Sequence, residues 1–162
     1  MAESIAFSKT DDRSVVYAEI VPQIESLISA EPDLVANLAN VAAVLREAFG
    51  FFWVGFYLAK DGQLVLGPFQ GPLACTRIEY DQGVCGHAFT NRETVVVPDV
   101  DKFPGHIACS TGSRSEIVVP LFDGGGQPVG VLDVDSNKLN DFTDADALEL
   151  EKISAIISAQ HF

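Results

Sequence analysis

Apolar residues recur every three or four positions in two stretches near the start of the chain. The first stretch covers residues 11–30, and its apolar positions are Val15, Val16, Ile20, Ile24, Leu27 and Ile28. The second begins at Pro32, a residue suited to the first turn of a helix, and Gly50 is placed to end it after Phe49. This spacing predicts two consecutive helices.

The middle of the chain carries strand patterns, which are short runs of aromatic and β-branched residues bounded by turn residues. These runs cover residues 51–59, 63–66, 94–97, 115–122 and 128–136. Asp61-Gly62 joins the first two runs into a predicted hairpin, and the glycine-rich segment 123–126 joins the last two.

Two further helices and two long loops complete the pattern. A short helix is predicted near residues 84–91 and a final helix at 143–159, where Thr143 and Asp146 are placed for a capping interaction. Segments 67–86 and 99–113 are predicted to be ordered, irregular loops. The element order predicts an α+β fold in which helices, including those at both chain ends, cover a central antiparallel sheet.

Length and charge narrow the possible functions. The chain has 162 residues, which fits one well-buried domain over residues 1–162. It has no long apolar run and no signal-peptide pattern at its start, so we expect a soluble protein of the cytosol with no membrane partner. The net charge of −13 argues against nucleic acid, whose phosphates need clustered Lys and Arg.

Three cysteines, Cys75, Cys85 and Cys109, are the strongest chemical signal. Their odd number and irregular spacing fit neither a structural zinc site nor a fully paired disulfide framework, and we predict no metal and no cofactor. All three fall in the predicted loops, where His87 and His106 could favour a thiolate. Thiol redox chemistry is the prediction, and the alternative is that each cysteine is a small buried apolar residue.

Acidic and aromatic residues on the predicted strands supply a candidate pocket. Asp133 and Asp135 are two positions apart in one strand and so share a face, and Glu116 on the preceding strand could reach the same place. Trp53 and Tyr57 likewise share a side of their strand. If loops cover the acids, burial would raise a carboxyl pKa and create a site for an ammonium group. If not, the acids form a solvated strand end and the rings are core packing.

Several motifs, taken together, resemble those of the free methionine-(R)-sulfoxide reductases, which are GAF-domain enzymes. They are Leu-Gly-Pro-Phe-Gln-Gly at 66–71, Ala-Cys-Thr-Arg-Ile at 74–78, Gly-Val-Cys-Gly at 83–86, Gly-His-Ile-Ala-Cys at 105–109, Ser-Glu-Ile-Val-Val-Pro-Leu at 115–121 and Gly-Val-Leu-Asp-Val-Asp-Ser at 130–136. The resemblance implies a GAF fold, with an antiparallel sheet of about six strands, helices on both sides, and N- and C-terminal helices packed together. It also implies a homodimer.

The resemblance implies a role for each cysteine. Cys109 resembles the attacking cysteine and Cys75 the principal resolving cysteine, while Cys85 is left open between attack, resolution and relay. Attack on the sulfoxide sulfur leaves a cysteine sulfenic acid, which a neighbouring thiol converts to an intramolecular disulfide. The external reductant of the family is thioredoxin.

The same resemblance implies substrate-binding roles for Glu116, Asp133, Asp135, Trp53 and Tyr57. The acids match positions that hold the substrate ammonium and hydrogen-bond the sulfoxide oxygen. The resemblance does not assign either role to a particular acid. The rings match positions that wall the pocket. A free amino acid is implied, because a peptide nitrogen carries no charge.

Two positions depart from the family pattern, and two other functions stay open. His87 follows Gly86 where a small residue is more common, and the turn at 124–126 has an extra glycine. The alternatives are a non-catalytic GAF module that binds a small ligand, and a thiol sensor that responds to peroxide.

Overall fold

The computed structural model describes residues 4–162. Its helices are α1 (Arg13–Ala30), α2 (Leu34–Phe49), α3 (Gly83–Asn91) and α4 (Asp144–His161). Its strands are β1 (Trp53–Lys60), β2 (Gln63–Gln70), β3 (Arg77–Glu79), β4 (Val95–Val97), β5 (Ser115–Phe122) and β6 (Pro128–Ser136). One short 3-10 turn, Val100–Lys102, follows β4.

The six strands form one sheet in the order β3-β2-β1-β6-β5-β4, and every neighbouring pair is antiparallel. This confirms the predicted α+β fold with a central antiparallel sheet. Strands β1 and β6 lie at its centre, so each of them pairs with another strand on both sides. Among the described residues, no helix is both long and apolar enough to cross a membrane.

Helices cover both faces of the sheet. On one face α2 packs against β1 and β2 while α4 packs against β5, with α1 lying on both helices. The predicted contact between the two terminal helices is confirmed, because the Tyr17 hydroxyl donates a hydrogen bond of 3.0 Å to Asp146. Helix α3 and the loops cover the other face, where a second apolar cluster forms.

Helix ends follow the local chemistry of the sequence. Asp12 and Asp33 cap α1 and α2 by accepting hydrogen bonds from backbone N–H groups of the first turn. Gly50 ends α2 in the left-handed conformation that glycine adopts without strain, as predicted. Pro32 lies just before the Asp33 cap and not in the first helical turn, so the predicted start of α2 is two residues early.

The predicted irregular loop at 67–86 is partly wrong. Strand β2 continues to Gln70, and the whole of β3 lies within the segment. Gly67 and Pro68 both stand opposite Phe56, which makes a β-bulge in the pairing of β1 with β2. Because β3 pairs only with residues 63–65, Pro68 faces no strand on the outer edge of β2, and its missing N–H breaks no ladder bond.

Candidate active site

Strands β1, β6 and β5 present the candidate residues on one face of the sheet. Trp53 of β1 lies opposite Asp135 of β6, which in turn lies opposite Glu116 of β5. Gly55 lies opposite Asp133 one step along the same face. Since strand side chains alternate between faces, all of these groups point to the side that α3 and the loops cover.

Three carboxyl groups are held close together beneath this cover. Glu116 is 6% exposed and Asp133 is 7% exposed, while Asp135 is partly buried. Burial raises the pKa of Glu116, and the charges of Asp133 and Asp135 raise it further. Burial also raises the pKa of Asp133, with a further rise from Asp135. The acids are therefore not a solvated strand end, and this cluster retains protons that ordinary carboxyl groups lose.

Asp135 differs from its two neighbours because it is less buried and accepts a hydrogen bond from a serine hydroxyl. Burial raises the pKa of Asp135 to about 6, although a hydrogen bond donated by the Ser113 hydroxyl favours its charged form. Ser113 lies four residues after Cys109 and lines the same cavity. Ser113 could not be identified from the sequence by periodicity, because it lies in a long loop, and only its closeness to Cys109 singles it out.

A disulfide bond joins Cys75 to Cys109. Their Cα atoms are 5.2 Å apart, although 34 positions separate them in sequence. Cys75 lies between β2 and β3, and Cys109 lies in the loop before β5. The bond therefore links the two loops on this face of the sheet.

Cys85 is separate from this disulfide and remains a thiol. It is buried, and its Sγ donates a hydrogen bond of 3.4 Å to Oδ2 of Asp133. Burial raises the pKa of the Cys85 thiol, and the charges of Asp133 and Glu116 raise it further. Of the two interpretations of the cysteines, the buried alternative holds for Cys85, and its predicted position in the loop 67–86 is wrong, because α3 begins at Gly83 and carries Cys85 against the sheet.

The two candidate histidines lie in different places. Nε2 of His106 is 3.7 Å from Oε2 of Glu116, and His106 lines the cavity beside the acids. His87 is exposed, and its Nε2 is 3.7 Å from Glu93 at the end of α3. Of the two, His106 is the one placed to interact with the buried acids.

Trp53 and Tyr57 form an aromatic wall that also holds a loop. Their rings stack with centroids 6.1 Å apart, and both are buried in the second apolar cluster. The Trp53 indole N–H donates to the carbonyl of Pro72 at 3.1 Å, and the Tyr57 hydroxyl donates to the carbonyl of Cys75 at 2.9 Å. The rings are therefore core residues and cavity-lining residues at once.

Gly55 allows the Trp53 ring to lie flat over β1. A Cβ atom at position 55 would lie 2.4 Å from Cη2 of Trp53 and 2.5 Å from Cβ of Phe69. Phe69 also stacks with the indole, at 5.3 Å between centroids. Any larger residue at position 55 would push the indole away from Pro72.

A cavity of about 40 Å³ lies among these groups. Its lining includes all the predicted site residues except Cys75, whose neighbour Ala74 takes part instead: Trp53, Tyr57, Cys85, Cys109, Glu116, Asp133 and Asp135. Because its lining offers several polar groups, the cavity is suited to hold ordered water. The described lining contains acids and a histidine but no Lys or Arg.

Within the described chain, one group of side chains could hold a metal ion. Cys85, Glu116 and Asp133 each offer one ligand atom, and these atoms all lie within 4.8 Å of one another. Two oxygens and one sulfur are a donor set that suits a zinc-like ion.

Known proteins resemble this chain over most of its length. A family model described as GAF domain matches residues 31–159. The chain is 53% identical to GAF domain-containing protein A of Dictyostelium discoideum, over 97% of the chain and 99% of that protein. It is 43% identical to the free methionine-R-sulfoxide reductase of Escherichia coli, over 89% of the chain and 87% of that enzyme.

A solved structure shows the same fold. The free methionine-R-sulfoxide reductase of Neisseria meningitidis, determined in complex with its substrate, superposes with a TM-score of 0.95 at 55% identity. The match covers 98% of this chain and 95% of that one.

Proposed function

The chain belongs to the GAF-domain family of free methionine-R-sulfoxide reductases, and from that premise we propose that it reduces free L-methionine-(R)-sulfoxide to L-methionine with its own thiols. One observation carries the proposal. The disulfide between Cys75 and Cys109 lies at a cavity lined by Glu116, Asp133 and Asp135, so two bonded sulfurs lie beside carboxyl groups that suit an ammonium group.

The reaction balances with two thiols. A cysteine thiolate attacks the sulfoxide sulfur, the oxygen is protonated and is left on the cysteine as a sulfenic acid, and methionine departs. The second thiol attacks the sulfenic sulfur and releases water, which forms the disulfide. The sulfoxide is reduced by two electrons, and the two cysteines are oxidised by two.

We assign the attack to Cys109 and the resolving step to Cys75. These two are bonded to each other, and Cys109 lines the cavity while Cys75 lies just outside it. Cys85 is poorly suited to attack, because burial and the neighbouring Asp133 and Glu116 raise its pKa and so disfavour the thiolate.

The acids suit both the ammonium group and the sulfoxide oxygen of the proposed substrate. A charged carboxylate among Glu116, Asp133 and Asp135 attracts the substrate ammonium, while a protonated one donates a hydrogen bond to the sulfoxide oxygen as it gains charge. The raised pKa values of all three support a cluster that is partly protonated near neutral pH. Trp53 and Tyr57 supply an apolar wall for the methyl group and side chain.

The start of α3 is suited to the substrate carboxylate. Gly83, Val84 and Cys85 form the first turn of α3 and line the cavity, and the capping residue Gln82 makes no side-chain hydrogen bond to it. Backbone N–H groups in a first helical turn favour an anion. Since the described lining has no Lys or Arg, these N–H groups are the donors that we assign to the carboxylate.

The structure corresponds to a closed, oxidised state in this proposal. The cavity is small and the disulfide ties together the two loops beside it, so in this proposal the loops separate when substrate enters. Reduction of the Cys75–Cys109 bond removes the covalent link that holds them together.

We also propose that a thioredoxin-like dithiol reduces the enzyme, in a reducing compartment such as the cytosol. Both disulfide cysteines are partly exposed, and Leu73, two positions from Cys75, is 87% exposed and offers an apolar contact. A homodimer is proposed too, supported by the large apolar side chains that α1, α2 and α4 expose, namely Val15, Val35 and Leu148. Light scattering on the purified chain measures that assembly directly.

A thiol count tests the activity and separates it from the alternatives. Samples of prereduced protein receive free methionine-(R)-sulfoxide, the (S) epimer, or peroxide, and free thiols and released methionine are measured. We expect loss of two thiols and release of methionine with the (R) epimer alone of the two sulfoxides. Thiol loss only with peroxide would identify a sensor, and no loss in any sample would identify a ligand-binding module.

A modified substrate tests the acid cluster in the same assay. N-acetylmethionine-(R)-sulfoxide keeps the sulfoxide but lacks the ammonium charge, so it should release little or no product. Equal reduction of the acetylated and free forms would contradict the proposed role of the acids.

A further inference from the structure

We propose that Cys85, Glu116 and Asp133 form a binding site for a zinc-like divalent cation. The site overlaps the proposed ammonium pocket, but it rests on the positions of these three side chains and needs no turnover. All three are buried, and their ligand atoms lie within 4.8 Å of one another.

The geometry is close to what zinc requires. Sγ of Cys85 and Oδ2 of Asp133 are 3.4 Å apart. Zinc bonds sulfur at about 2.3 Å and carboxylate oxygen at about 2.0 Å, and a tetrahedral angle between them separates the two ligand atoms by roughly 3.5 Å. This pair therefore needs almost no movement, and Glu116 has to approach by only a short distance.

An unsatisfied oxygen points independently to a ligand. Oδ1 of Asp133 is buried and makes no hydrogen bond within the described chain. A buried carboxylate oxygen without a partner is costly, and a bound cation would satisfy it.

The thiol distinguishes a metal from an ammonium group. An ammonium ion is well served by carboxylates alone, whereas a thiol accepts its hydrogen bonds weakly. A thiolate is a strong ligand for zinc and cobalt, and Mg²⁺ or Ca²⁺ would prefer oxygen ligands only. His106 lies outside this group, and it would have to move to supply a fourth ligand, although its Nε2 is 3.7 Å from Oε2 of Glu116.

The oxidised protein gives a clean test with Co²⁺ as the probe. Cys75 and Cys109 are then bonded to each other, so Cys85 is the free thiol that remains among the three cysteines of the chain. Titration should produce a thiolate-to-cobalt charge-transfer band in the near ultraviolet that saturates at one equivalent per chain. Zn²⁺ should abolish the band by displacement, and Mg²⁺ should not.

Variants locate the ligands. Cys85→Ser should remove the band, and both Cys85→Ser and Asp133→Asn should weaken Zn²⁺ binding at least about 100-fold, because even loss of an outer partner of a metal ligand costs roughly 10–100-fold. Glu25→Gln changes an exposed acid on α1, away from the site, and should leave both readouts unchanged. Circular dichroism checks that each variant is folded. If Asp133→Asn does not fold, Cys85→Ser alone is enough to test the metal site.

The outcomes separate this proposal from the proposed function. Absence of the band, or a band that survives in Cys85→Ser, would overturn the metal site even if metal-free enzyme reduces the substrate. A saturable band in a protein that never releases methionine would support the metal site and contradict the reductase activity.

Discussion

The hydroxyl of Tyr57 donates a hydrogen bond of 2.9 Å to the backbone carbonyl of Cys75. A side chain from the centre of the sheet therefore holds the loop that carries one of the two bonded cysteines. Burial raises the pKa of Tyr57, and the charge of Asp133 raises it further, so the hydroxyl keeps its proton and remains a donor.

Tyr57→Phe should slow formation of the Cys75–Cys109 disulfide without affecting the first release of methionine. The substitution keeps the ring but leaves the Cys75 carbonyl without its donor, at a cost of about 1 kcal/mol, which corresponds to roughly a fivefold effect. We expect normal release of the first methionine and slower disappearance of the second thiol, measured by quenched thiol titration. Tyr80→Phe is the control, since Tyr80 stacks on Phe89 away from Cys75.

Substitution of the two bonded cysteines should give different products. Cys109→Ser should abolish even the first release of methionine, because the attacking thiolate is lost. Cys75→Ser should release about one methionine per site and then stop at a sulfenic acid. Product is measured in a single turnover, and the sulfenic acid is trapped with a carbon nucleophile. A full first release from Cys109→Ser would move the attack to another cysteine.

The pH dependence of the free energy of unfolding should reveal the raised pKa of Asp135. Its folded-state pKa is about 6 against an ordinary value of 3.8, so the folded protein keeps a proton that the unfolded chain releases. That contribution is present at low pH and is lost as pH rises from about 4 to about 6. The shift of about two units, which burial causes, corresponds to about 3 kcal/mol as an upper bound. In urea unfolding of the oxidised protein, Asp135→Asn should remove the decline in the free energy of unfolding between about pH 4 and about pH 6.

Asp141→Asn is the matched control, because the pKa of Asp141 is shifted in the opposite direction. Burial of Asp141 opposes its charge, but the Ser136 hydroxyl and the Arg13 guanidinium outweigh it and hold the pKa of Asp141 below its ordinary value. Its contribution is present above the unfolded-state pKa and is lost as pH falls through the folded-state pKa. The variant should therefore lose stability at neutral pH. A decline of wild-type size in Asp135→Asn would contradict the raised pKa of Asp135.

Leu73 should matter when a protein reductant regenerates the thiols and not when a small thiol does so. It is 87% exposed beside the disulfide, and a protein partner would cover it whereas a small thiol would not. Leu73→Ser should lower the rate of reduction by thioredoxin about fivefold, equivalent to about 1 kcal/mol of contact energy, and leave reduction by dithiothreitol unchanged. Leu139→Ser serves as the control, because Leu139 is also exposed but lies after β6. An equal effect of both variants would exclude a specific contact.

Long periodic segments made most of the fold predictable. Strands β5 and β6 were predicted at their observed bounds, because eight or nine residues between strong turn signals leave little freedom. Strand β3 was missed because it has three residues, of which only Ile78 is buried, so no alternation can be detected. The end of β2 was missed because Gly67 and Pro68 resemble a loop and instead form a bulge.

The site was predictable where it depends on strand geometry. The shared face of Asp133 and Asp135 follows from their spacing, and the structure places both beside Glu116. Burial was one of the two interpretations of Cys85, and the sequence could not decide between them because the outcome depends on how α3 packs against the sheet. The hydrogen bond from Ser113 depends on the path of a loop that no sequence period describes. The assigned roles of the cysteines and acids stay predictions until the variants are measured.

The sheet separates two apolar clusters, and this arrangement suits an enzyme that breaks and reforms a covalent bond in each catalytic cycle. The larger cluster, built from α1, α2 and α4, lies on the face opposite the cysteines and shares no loop with them. Loops 71–76 and 103–114 can therefore rearrange while the hydrophobic contacts that maintain the tertiary structure stay in place. We therefore expect that loss of the Cys75–Cys109 crosslink changes access to the pocket while the rest of the molecule stays folded.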